Sequence, residues 1–158
     1  MNTSFDFSTS GKYRAIGPSL SKARFALIDR VIATAAPVGP AEAAALVGGH
    51  EVLAELISLN IIGLDASGDV GYLYPVSAHP TGHRVRLADG REFDTMCAID
   101  SLGCAGTFGA DADIFSFCKD TGEKVHIRVE RGEIALAEPG ADLFVSYYDS
   151  WTDGSFNF

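Results

Sequence analysis

Arg84-Val-Arg-Leu-Ala-Asp-Gly-Arg-Glu-Phe-Asp-Thr-Met-Cys-Ala-Ile-Asp-Ser-Leu-Gly-Cys104 decides the fold. Val85 and Leu87 alternate with Arg84 and Arg86, the two-residue period of a half-buried strand. Asp89-Gly90 is a two-residue hairpin turn. Just past the second strand, the chain from Asp94 to Cys104 reads as the first turns of a helix. An α-helix turns about 100° per residue, so Cys104 falls about 20° around the axis from Cys97 and Asp100 about 60° from it. Two thiols and a carboxylate then share one stripe, and Met96, Ile99 and Leu102 surround it with apolar side chains. Desolvation there favours a protonated carboxylate, and a nearby thiolate pushes the same way. A thiol nucleophile beside a proton-holding acid is one form of catalytic pair. The same residues also admit a purely structural role. Cysteine is a common buried filler, and Asp100 suits the start of a helix.

Upstream, the pattern is helical from Ser19. Leu20, Ala23, Phe25, Leu27, Ile28, Val31 and Ile32 recur at helical spacing between Lys22, Arg24, Asp29 and Arg30. Pro40 suits the first turn of a second helix through Val47, and Gly48-Gly49 breaks it. A third helix follows from His50 to Leu59. Two short apolar runs, Asn60 to Asp65 and Gly71 to Tyr74, form a two-stranded wing. Helix, helix, turn, helix, wing is the layout of a winged helix, a fold that commonly binds DNA through its third helix. Here the third helix carries Glu51 and Glu55 and neither Lys nor Arg, whereas phosphate contacts need cations. The lobe therefore reads as structural or substrate-cradling. Tyr74 to His83 is a connector. His79 and His83 flank Pro80 and Gly82, which excludes a helical metal pair and leaves them as polar loop groups.

Downstream, the helix is expected to end between Gly103 and Gly109, and strands return. Asp113 to Cys118, Lys124 to Glu130 and Glu133 to Ala137 are joined by turns at Lys119 to Gly122 and Arg131-Gly132. Asp142 to Tyr148 reads as a further strand. The class is α+β: a winged-helix-like three-helix lobe, then a small antiparallel sheet with an inserted helix carrying Cys97 and Asp100. The expected division is a flexible arm over 1–18, the helical lobe over 19–75 and a catalytic core over 76–158.

The whole chain has 158 residues, 47% of them hydrophobic, which is enough for a real core. A net charge of −9 makes nucleic acid and anionic membranes poor partners. Three cysteines form no paired framework, so free thiols in a reducing compartment are expected. The start has no cationic region leading into an apolar core, and no apolar run reaches the roughly 18 residues of a membrane span. A cytoplasmic location follows as the expectation.

Tyr74-Pro-Val-Ser, Pro80-Thr-Gly-His-Arg-Val85, Leu87-Ala-Asp-Gly-Arg91 and Met96-Cys-Ala-Ile-Asp-Ser-Leu-Gly103 together resemble the core of the alkylmercury (organomercurial) lyase family. Phe117-Cys-Lys-Asp-Thr-Gly-Glu-Lys-Val125 is similar to that family's next block. The resemblance implies cleavage of a carbon–mercury bond, with Cys97 taking the metal as a thiolate and Asp100 moving the proton that ends on the leaving carbon. It implies no cofactor, with Hg(II) as product or ligand of Cys97, and a small-molecule substrate. Soft thiolates are the expected ligands of so soft a metal. The family's counterpart of Cys118 is structural, so no catalytic role is carried to it.

The family's second catalytic cysteine should fall within 148–158, which has none. Its counterpart is Thr152 or Asp153. Cys104 is a candidate pocket residue with Trp151, Thr152 and Asp153, although seven residues of helix separate the Cys97 and Cys104 Cα atoms by about 10.5 Å. The aromatic tail from Tyr147 to Phe158 either walls an apolar pocket or packs as core and edge. The expected function is a lyase-type protonolysis at carbon. The alternatives are the same fold recruited to a mercury-free substrate (C–S or C–C cleavage, or isomerisation) and a non-catalytic thiol protein that binds or senses metal. The sequence carries no signal of a particular oligomeric state.

Overall fold

The computed structural model describes residues 16–140. Helix α1 spans Gly17–Thr34, two residues earlier than the apolar pattern alone indicates, with Pro18 in its first turn. Proline suits that position because its missing N–H would have no helical partner there. Ala23, Leu27, Ile28 and Val31 are its buried apolar stripe. Helix α2 (Pro40–Val47) starts on Pro40 and stops at Gly48, whose φ of 95° suits a residue without a Cβ. Helix α3 (His50–Ser58) buries Leu53 and Leu56 and leaves Glu51 and Glu55 exposed.

The wing follows as β1 (Gly63–Leu64) and β2 (Val70–Leu73), joined by a turn in which Asp65 accepts hydrogen bonds from the backbone N–H groups of Ser67 and Asp69. The expected connector contains a strand of its own, β3 (Val76–Ser77). It pairs with β2 on one side and with β5 on the other, so the wing and the later strands form one sheet. Two residues are too few to show a period, which is why the sequence pattern does not reveal this strand.

Strands β4 (Arg84–Leu87) and β5 (Glu92–Thr95) are the expected hairpin around Asp89-Gly90, with Gly90 at φ 89°. Helix α4 (Ala98–Phe108) is the inserted helix, and Gly109 ends it. Strands β6 (Ala112–Phe117), β7 (Lys124–Glu130) and β8 (Glu133–Glu138) complete an eight-stranded antiparallel sheet in the order β1-β2-β3-β5-β4-β6-β7-β8. The α+β class read from the sequence is thus the class of the fold. Residues 1–15 of the expected arm and the strand expected from Asp142 lie outside the described residues.

A continuous apolar core runs through both halves. Leu27, Ile28 and Val31 from α1, Leu56 from α3, Val70 and Leu73 from the wing, and Val85, Leu87, Cys104 and Ile114 belong to the same buried cluster. Burying such side chains stabilises by about 1.5–3 kcal/mol each. No helix among the described residues is long and apolar enough to cross a membrane.

Candidate active site

The site forms where β5 gives way to α4. Thr95 closes the strand by donating its N–H to the His83 carbonyl at 2.8 Å. Met96 then donates its N–H to the Pro75 carbonyl at 3.1 Å. Cys97 has extended backbone (φ −156°, ψ 176°) and is the N-cap of α4. The sequence expectation put Cys97 on the helix itself. The strand persists through Thr95 instead, so the stripe angles calculated for a continuous helix do not apply to Cys97. Asp100, three residues on, stands in the first turn.

This N-cap geometry brings the predicted pair together. The Cys97 thiol donates to Asp100 Oδ2 at 3.0 Å. Cys97 is exposed to solvent, yet the protein packed behind it removes enough water to push its thiol up to about 11, and the Asp100 carboxylate adds to the rise. The backbone N–H groups of Ile99 and Asp100 work the other way and favour a thiolate. They make no cap bond to the sulfur in the present arrangement, where the thiol acts as donor. Asp100 is half-buried, and desolvation holds its carboxyl above the usual range, against the opposing hydrogen bond from Cys97. Asp100 disfavours negative charge on Cys97, whereas the Cys97 thiol, as donor, favours the Asp100 carboxylate, so the proton of the pair rests on sulfur within reach of the carboxylate. The first turn of a helix is also where an emerging thiolate is best stabilised.

Cys104 is fully buried. Its thiol donates to the Asp100 carbonyl at 3.3 Å, and burial pushes its pKa well above the ordinary thiol value, with the Asp100 charge adding to the rise. Cys118 lies far along the chain, at the β6–β7 turn, half-buried. Hydrogen bonding from Thr121 holds its thiol below the ordinary value. All three cysteines are free. Trp151, Thr152 and Asp153 lie outside the described residues. Among the described residues no group of three or more His, Cys, Asp or Glu side chains is arranged to hold a metal ion.

His79 and His83 are polar groups with local partners. His79 Nε2 pairs with Asp65 Oδ2 at 3.1 Å. His83 Nδ1 bonds Ser116 Oγ at 2.7 Å, its ring stacks on Phe117, and burial holds its pKa below the ordinary histidine value. Gly82 makes that stacking possible: it has φ 83°, and a Cβ there would come within 2.3 Å of the Phe117 ring. Three hydroxyls around the site were not singled out by the sequence. Thr81 Oγ1 donates to the Thr95 carbonyl at 2.6 Å. Thr95 and Ser101, both fully buried, bond each other at 2.5 Å, and Ser101 Oγ donates to the Cys97 carbonyl at 3.1 Å. A Ser four residues after a cysteine is a weak signal on its own, and nothing local ties Thr95 to it.

Fold and site together define an α+β protein with a cysteine–aspartate pair at a strand-to-helix junction. Comparison with known sequences makes the class specific: the family model for alkylmercury lyase matches residues 76–154, half of the chain, and the chain belongs to that family. It is 32% identical over 112 residues to an alkylmercury lyase of Staphylococcus epidermidis, a match covering 70% of this chain and 51% of that protein. It is 34% identical over 90 residues to an alkylmercury lyase of Bacillus cereus, covering 57% of this chain and 40% of that one. The chain thus spans about half the length, or less, of these relatives. Among solved structures, the mercury-bound form of MerB2 superimposes with a TM-score of 0.61 at 25% identity, covering 82% of this chain and 66% of that one.

Proposed function

We propose that this chain cleaves carbon–mercury bonds by protonolysis, with Cys97 as the metal-capturing thiol and Asp100 as the proton carrier. One observation carries the reading: the Cys97 thiol lies 3.0 Å from the Asp100 carboxylate, inside the segment that matches the family. A mercury(II) centre bearing one alkyl or aryl group exchanges its other ligand, a carboxylate or small thiolate that departs as the anion, for the Cys97 sulfur, and the displaced thiol proton passes to Asp100. The Ile99 and Asp100 N–H groups favour the charge that the sulfur gains during this step. Protonated Asp100 then gives the proton to the carbon. The carbon–mercury bond breaks, the hydrocarbon departs with that proton and the bonding pair, and Hg(II) stays on the Cys97 thiolate. Asp100 returns as carboxylate. Cys104 is fully buried with its thiol on the Asp100 carbonyl, and in this reading a small external thiol supplies the second sulfur for Hg(II). A second such thiol replaces the Cys97 sulfur on the metal, returns its proton to Cys97 and carries the metal away.

The test is benzene release from phenylmercury acetate in excess cysteine. The wild-type chain turns over, and Cys97→Ser does not. The absence of a second cysteine in the 148–158 tail supports a second reading, in which the same pair delivers a proton to carbon in a mercury-free substrate. Stoichiometric capture of phenylmercury by Cys97 without any benzene would select that reading.

A further inference from the structure

We propose that the buried Thr95–Ser101 hydroxyl pair is the positioning device that holds Cys97 at hydrogen-bond distance from Asp100. Its kinetic consequence rests on the carbon–mercury reading of the site. Its geometric consequence does not.

The two hydroxyls bridge the last residue of β5 and the first turn of α4, and both residues have 0% exposure. A hydroxyl has one proton to give and two lone pairs to accept with. Thr95 Oγ1 lies 2.5 Å from Ser101 Oγ, 3.1 Å from the His83 carbonyl and 3.5 Å from the Cys97 carbonyl. Ser101 Oγ lies 3.1 Å from the Cys97 carbonyl. One hydroxyl proton therefore bridges the pair and the other reaches a carbonyl. That carbonyl is Cys97 when Thr95 donates to Ser101, or His83 when Ser101 donates to Thr95. In either arrangement the end of strand β5 is tied to the first turn of α4 through two buried side chains.

The tie fixes the catalytic turn from both sides. Before Cys97, the Met96 N–H is held by the Pro75 carbonyl. After it, the Cys97 carbonyl receives the Ser101 N–H at 3.0 Å, joined by the Ser101 hydroxyl when Thr95 donates to Ser101. With its flanking backbone held, the sulfur keeps only its side-chain rotation, so the clamp sets its separation from Asp100. A buried hydroxyl is a poor filler, since any loss of its partners carries a desolvation cost that an apolar side chain avoids. Two of them side by side beneath a reactive thiol are accounted for by positioning.

The test uses Ser101→Ala, which removes one oxygen from a helical residue, and Thr95→Val, which keeps the shape of threonine. Ser101→Thr and Thr95→Ser restore a hydroxyl. The first readout is the infrared S–H stretch of Cys97, isolated by subtracting the spectrum of Cys97→Ser. A thiol donating to a carboxylate absorbs at lower frequency than a free one. The wild-type band should lie low, Ser101→Ala and Thr95→Val should move it up, and the hydroxyl-bearing variants should bring it back. The second readout is phenylmercury turnover. The hydroxyl-free variants should lose roughly ten- to a hundredfold in kcat, the scale of a small misplacement of reacting groups, with KM within about twofold. An unmoved S–H band in both hydroxyl-free variants would overturn the positioning role. The band is read without turnover, so it decides this point whether or not the wild-type chain releases benzene.

Discussion

The two ends of α4 are built from opposite materials. At the C-terminal end, Phe108 packs against Phe93 with ring centroids 5.3 Å apart and against Phe25 of α1 at 6.2 Å, and Arg91 lies over its ring. At the N-terminal end the contacts are polar: a thiol on a carboxylate and two buried hydroxyls on each other. Apolar packing fixes where the helix lies without specifying any proton. Polar contacts specify protons and depend on that fixed position. The aromatic end holds the helix against the sheet, and the other end is left to carry chemistry.

Substitutions at the two ends should therefore fail in different ways. The largest effect belongs to the polar end. Cys97→Ser should abolish benzene release from phenylmercury while the melting temperature stays near that of the wild type, because the side chain is exposed and adds little to the core. Phe108→Ala should do the reverse, lowering stability by about 2–3 kcal/mol, below the full cost for a wholly buried ring because Phe108 is half-buried. Denaturant unfolding measures that loss, and kcat per folded molecule should hold. A Phe108 variant of normal stability and poor kcat would break the comparison.

Cys104 sits between the two ends and tests where the division falls. Cys104→Ala removes one buried sulfur from the core and should cost about 1 kcal/mol or slightly more, with turnover changed far less than by Cys97→Ser. The smallest effect is on pH dependence. The folded state favours the Cys97 thiol, so its stabilising contribution is complete below the ordinary value of 9.0 and is lost as pH rises toward about 11. Cys97→Ser should show a shallower loss of stability over that window. Alkylation of Cys97 by iodoacetamide should accelerate across the same range. Asp100→Asn removes a negative charge from beside the sulfur and should move the acceleration to lower pH.

Legibility in the sequence follows the same division. The apolar periodicity of α1, the Pro40 start, the Gly48 stop and the Asp89-Gly90 hairpin are local signals, and each became the expected element. The Cys97–Asp100 pairing was also legible, because three residues at the start of a helix can hardly avoid meeting. What local pattern cannot carry is the competition at a junction. Thr95 stays in the sheet because it pairs with Val76 of β3, a strand too short to be recognised. That pairing moves Cys97 from the helix to its cap. The Thr95–Ser101 bond and the His83–Ser116 bond join residues whose proximity depends on the completed sheet. Trp151, Thr152 and Asp153 remain candidates on resemblance alone, outside the described residues.

In the proposed reaction Asp100 holds the proton that reaches carbon. A single-turnover experiment tests it: phenylmercury is mixed with an equal amount of protein, and capture and benzene release are followed separately in wild type and Asp100→Asn. One phenylmercury should be captured per chain in both, with benzene release slowed roughly 10²–10⁴-fold in the variant, the usual worth of a general acid. Benzene released by Asp100→Asn at the wild-type rate would contradict it.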